Sequence, residues 1–193
     1  MRVPAAGPLL TGAHGQHAVA IVNEKTQSER STEPWLRGTI PGVHPLVMPV
    51  FFSYAQVRED LRTHTAGLSD EHVWQPLASS SMGFQLKHIA GSVDRITTYL
   101  LGRQLEAEQL SFLKQESEPP GTLTELLQLV ERSLDKSERE LQTVDAASLY
   151  AERTVGRRAL PTTVIGLIVH LAEHTQRHLG QAIIIAKLLR QPG

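Results

Sequence analysis

Three histidines recur at four-residue steps near the end of the chain, in His170-Leu171-Ala172-Glu173-His174-Thr175-Gln176-Arg177-His178. Residues four apart on a helix share one face, a turn from each other. Two imidazoles so placed can converge on one divalent ion at ~2.0–2.1 Å, the usual distance for zinc. His170 and His178 are separated by about 12 Å of helix rise, so one ion cannot take all three. An apolar seam decides between the pairs. Leu167, Leu171, His174, His178, Gln181, Ile185 and Leu188 follow alternating three- and four-residue steps, the spacing of a bundle core. His174 and His178 fall on this seam, and His170 lies one position off it, at the rim. A polar group buried there without a partner costs ~1–3 kcal/mol. A lone core histidine ordinarily bonds a carbonyl, but two imidazoles with Gln181 beneath them call for a shared partner, and a metal ion serves. The third ligand must come from another helix. His88 is the best candidate, since it borders an apolar stripe and Gly91 leaves open space nearby. Gln181 is suited to orient a ligand from behind.

The stretch His170 to His174 also reads as HxxEH, a zinc-peptidase signature in which the glutamate is the general base. That chemistry needs a carboxylate ligand well downstream, and no Asp or Glu follows His174. Glu173 is read as a solvated charge. His14, His17, His44, His64 and His72 are read as surface or loop residues, with His44 the one to check against the site.

Composition narrows the chemistry further. The chain has 193 residues and no cysteine, so disulfides, thiolate metal sites and a nucleophilic protein thiol are excluded. A formal charge of -1 offers no basic excess for a nucleic-acid backbone. No apolar run approaches the ~20 residues of a membrane span. Pro4, Gly7, Pro8, Gly12 and Gly15 interrupt any secretory signal, so the expected location is cytoplasmic.

The elements that must position the histidines follow from periodicity. Residues 1–45 form an irregular N-terminal arm, with 1–33 expected to be disordered or draped on the surface. Trp35, Leu36, Ile40 and Val43 are the residues that would dock its end. A single domain spans 46–193. Its first helix carries Val47, Val50, Phe51, Tyr54, Val57 and Leu61 and ends at Ala66-Gly67. The second runs from Ser81 to Leu101, with Leu86, Ile89, Val93, Ile96 and Leu100 on its stripe and Gly102 as its stop. Pro119-Pro120-Gly121 is a break. Thr122 and Glu125 form a capping box for the third helix, which carries Leu123, Leu126, Leu127, Val130, Leu134 and Leu141. Residues 145–161 are expected to be a loop, and the fourth helix runs from about Thr162 to Arg190. Strand-like alternation is absent, so a sheet is not expected. The class is all-α, a four-helix bundle. The loops after the first helix and before the fourth are long enough for a crossover.

Two segments, SMGFQLKHIAGSVDRITTYLLG (Ser81 to Gly102) and HLAEHTQRHLGQAIIIAKLL (His170 to Leu189), resemble the DinB/YfiT-like superfamily of metal-binding four-helix bundles. The resemblance spans about residues 46–190. It implies that His88 and the pair His174 and His178 bind a divalent metal. The family often carries Arg-Gly-Gln after its last histidine, where this chain has Leu179-Gly180-Gln181. Members include enzymes that use a low-molecular-weight thiol such as bacillithiol or mycothiol, and they commonly form homodimers. The expectation is a metal-dependent thiol transfer to a small electrophilic substrate. Metal-dependent hydrolysis and a non-catalytic, stress-related metal-binding module are the alternatives. Three nitrogen ligands leave one position open, as in catalytic zinc sites. A metal-bound thiol there would be deprotonated at neutral pH. Zinc, nickel, iron and manganese all suit such a donor set.

Overall fold

The computed structural model describes residues 32–77 and 80–190. The chain divides into two units, Met1–Arg37 and Gly38–Gly193. In the first, the described residues hold a short turn of 3-10 helix at Pro34–Leu36, with Trp35 and Leu36 exposed. Most of the expected irregular arm, with His14 and His17, lies outside the described residues.

The second unit contains four long helices. Helix α1 is Met48–Thr65, and a short α2, Asp70–Val73, follows it. Helix α3 is Met82–Leu100, capped where Ser81 Oγ accepts from Phe84 N at 3.1 Å. Helix α5 is Leu123–Leu141, started by the reciprocal Thr122 and Glu125 capping box. Helix α6 is Val164–Leu189, capped by Thr163 Oγ1 on Gly166 N. The stripes read from sequence are its interior. Val50, Tyr54, Val57, Leu86, Ile89, Val93, Val130 and Leu134 are all buried, each contributing about 1.5–3 kcal/mol through lost apolar exposure.

Two elements depart from the sequence expectation. An eight-residue helix, α4 at Ala107–Lys114, stands in the connection between α3 and α5. It has its own capping box, Glu106 with Gln109, but no fully buried residue, so it lacks the apolar stripe that marks the others. The expected loop at 145–161 instead holds a hairpin. Strand β1, Glu152–Val155, pairs antiparallel with β2, Leu160–Thr163, with Glu152 opposite Thr163 and Val155 opposite Leu160. Gly156 closes the turn at φ 71°. Pro161 therefore lies in an edge strand, where a missing N–H is tolerated. Arg153 Nε anchors the hairpin on Leu100 O at the end of α3. The all-α class stands, with this hairpin as a small addition.

Cross-helix hydrogen bonds give the topology. Helix α1 packs along α6, α6 along α3, and α3 along α5. Arg190 Nη2 at the end of α6 donates to His64 O and Ala66 O at the end of α1, so these helices run parallel. Helices α3 and α5 are also parallel, because Ala90 meets Ser133 and Thr97 meets Ser137. Helix α6 is antiparallel to α3, with Gln85 opposite Gln181 and His88 opposite His174. The long return therefore lies between α3 and α5 and carries α4. No described helix is long and apolar enough to cross a membrane.

Candidate metal centre

Helices α3 and α6 meet antiparallel, which brings residues far apart in sequence face to face. His88 from α3 and His174 and His178 from α6 present ligand nitrogens that all lie within 4.8 Å of one another. His88 Nε2 is 3.1 Å from His174 Nε2. The His88 and His178 ring centroids are 4.2 Å apart, and those of His174 and His178 are 4.6 Å apart. Phe84 stacks on His88 with 5.3 Å between centroids.

The reason these rings are accessible differs from the seam reading. The fully buried line of α6 runs through Leu167, Leu171, Thr175, Leu179 and Ala182. His174 and His178 each sit one residue before a member of that line and are half-buried, while Gln181 and Leu188 are exposed. They form a wall at the edge of the core. Leu179, where the family often has arginine, is a core residue at 2% exposure. Arg177 does not take over that position, since its side chain is exposed and pairs with Glu173.

Two buried polar side chains absent from the sequence reading fix the outer nitrogens. His88 Nδ1 donates to Glu116 Oε2 at 2.7 Å, and Glu116 Oε1 accepts from Arg95 Nη1 at 2.5 Å. His178 Nδ1 donates to Gln85 Oε1 at 2.8 Å. Gln85 in turn donates through Nε2 to Gln181 Oε1 and Ser80 Oγ. Gln181 thus acts through Gln85, and Gln85 is the residue that touches the imidazole. Both contacts leave Nε2 as the nitrogen with a free lone pair. His174 Nδ1 is buried without a hydrogen-bond partner. Its ring is held by packing between His178 and His170, whose centroid lies 5.1 Å away.

Electrostatics favour the ligating state. Burial, then the neighbouring His88, pushes His174 and His178 down to about 4. At neutral pH both are uncharged, the form that binds metal. Three converging imidazoles, two of them fixed from behind, fit a divalent ion of the zinc type. His170 is exposed and bonds Glu173 Oε1. With Glu173 and His174 it makes a second, more exposed donor group. Glu173 is tied to Arg177 as well, in keeping with a solvated charge. His44 accepts from Leu46 N in the turn before α1, and His72 pairs with Ser69; neither belongs to either donor group.

A family model of the DinB superfamily matches residues 53–182. The chain belongs to that superfamily, and the matched segment contains all three histidines. A comparison with curated proteins finds no match.

Proposed function

We propose that His88, His174 and His178 hold one divalent metal ion and that the centre transfers a low-molecular-weight thiol to a small electrophile. The observation that carries the metal site is the convergence of three ring nitrogens, two of them turned inward by Glu116 and Gln85. A metal bound there supplies a Lewis acid that lowers the pKa of a coordinated thiol or water. The protein's own part is to hold three imidazole donors in place and to wall one side with Phe84. Thiol transfer is favoured over hydrolysis by the state of the nearby carboxylates. Glu116 has both oxygens committed to Arg95 and His88, and Glu173 is engaged by His170 and Arg177. Neither is free to take a proton from water. A thiol needs no such base once it is ionised. Its sulfur bonds the electrophilic carbon, the leaving group departs with its electron pair, and the thiol proton passes to solvent. Val169, Ile184 and Leu188, exposed on α6, support a homodimer, which light scattering in solution tests.

The test of function is a thiol-transfer assay on zinc-loaded protein, with bacillithiol, mycothiol, glutathione or cysteine as donor and monobromobimane as electrophile. Acceleration that disappears in His174→Ala supports the reading. No acceleration with any donor, from protein carrying one equivalent of metal, refutes it.

A further inference from the structure

Glu116 lies in the connection between α4 and α5, outside the four long helices, and is only 3% exposed. A carboxylate is costly to bury unless each oxygen is paired. Here the two oxygens are divided, one to Arg95 on α3 and one to His88 on the same helix. The surroundings are built to receive it. A Cβ on Gly91 would collide with Glu116 Oε1, and would come within 2.7 Å of both Arg95 Nη1 and Phe112 Cε1. Glycine in mid-helix is destabilising relative to alanine, so this position gives up helix stability to admit the carboxylate. The open space expected beside Gly91 is thus filled by a charged group from another segment. The backbone on either side of Glu116 is pinned too. Lys87 Nζ, itself buried and lying over the Trp74 ring, donates to Gln115 O and Glu118 O.

We propose that Glu116 is a positioning residue for the centre: it fixes His88 with its proton on Nδ1, presents Nε2 to the metal, and so sets the affinity of the site. The inference rests on the metal-site reading above. A carboxylate behind a ligating imidazole selects the tautomer and strengthens the donor, and its loss typically costs about 10- to 100-fold in metal affinity. Glu116→Gln keeps the shape but places either an amide N–H or a weaker acceptor against His88. Gly91→Ala keeps every charged residue and drives a methyl group against the carboxylate, and against the Arg95 guanidinium and the Phe112 ring beside it.

Two measurements test this on the full chain. Zinc affinity is measured by competition with a chelator for the parent, E116Q, E116A, G91A and the double variant E116A/G91A. Separately, long-range nitrogen–proton NMR on metal-free protein reports the His88 tautomer. The expected results are about 10- to 100-fold weaker zinc binding in E116Q and in G91A, and a double variant no weaker than E116A, because the displaced group is already gone. Metal-free parent should show the His88 proton on Nδ1, and E116Q should lose that preference. Parental zinc affinity in E116Q overturns the proposal even where its Tm falls, because a purely structural ion pair would lower Tm alone. Parent protein that takes up no zinc refutes the metal site instead. In that event the tautomer still decides the role of Glu116: an Nδ1–H lost in E116Q upholds it, and an unchanged tautomer overturns it.

Discussion

Replacing Gln85 with leucine would test how the second imidazole is held. Gln85 is fully buried and contributes three hydrogen bonds, to His178 Nδ1, Gln181 Oε1 and Ser80 Oγ. Leucine is close in volume and removes all three. The losses are unequal. Gln181 is exposed and regains water, and Ser80 is half-buried and does so in part. His178 Nδ1–H faces the space that the leucine now fills, so one donor is left unpaired at a cost of about 1–3 kcal/mol. For a body of this size that lowers Tm by roughly 2–4 °C per kcal/mol. The effect on metal is separate. Without its acceptor, His178 can turn or place its proton on Nε2, and zinc affinity should fall about 10- to 100-fold. Zinc competition titrations and thermal melts of metal-free Gln85→Leu measure both. Gln181→Ala, which removes a partner of Gln85 and leaves the imidazole contact intact, should cost less than Gln85→Leu on both scales. A Gln85→Leu protein that melts lower yet binds zinc within about twofold of the parent would show that packing, and not Gln85, orients His178.

Further expectations concern the same centre and the core beneath it. His88→Ala, His174→Ala and His178→Ala should each abolish tight zinc binding in equilibrium dialysis, whereas His170→Ala should leave it intact; strong loss in His170→Ala alone would move the site outward to the His170, Glu173 and His174 group. Metal-free protein should lose stability as pH falls from about 6.5 toward 4. Over that window the unfolded chain protonates His174 and His178 while the fold holds them neutral, and above it the two states bind equal protons there. Urea midpoints that stay level between these pH values count against the lowered pKa of these histidines. Ser137→Ala should cost about 1–3 kcal/mol in urea unfolding, since it leaves the buried Tyr54 and Thr97 hydroxyls without their shared partner.

The four long helices were legible because their signals are local. Thr122 and Glu125 lie three residues apart, and Val47 to Leu61 repeats at helical steps. The three histidines were legible because two share one helix face and the third is carried by a resemblance. Gln85 and Glu116 were not, because nothing local distinguishes a buried amide or carboxylate from a solvated one. Glu116 meets His88 across 28 residues, and that pairing exists only once α4 has folded over α3. The line of α6 was misplaced by one residue for a related reason. Its true members include Thr175 and Ala182, whose small or polar side chains weaken the stripe. Thr175 hides its hydroxyl by bonding Leu171 O and Ser53 Oγ. The hairpin was missed because its strands are four residues each, too short for alternation to register.

The parallel arrangement of α3 and α5 has a consequence for how far the chain can be trimmed. A 19-residue helix is about 28 Å long, so the chain leaving Leu100 must travel that distance back before α5 begins. Fully extended, about nine residues would cover it. The connection from Leu101 to Thr122 is more than twice as long, and the surplus is spent on α4 and on the approach to Glu116. A bundle with α3 and α5 antiparallel would need only a tight turn there, and no segment would pass behind His88. A shortened connection that still spans the bundle should therefore leave the fold standing and strip the centre of its carboxylate.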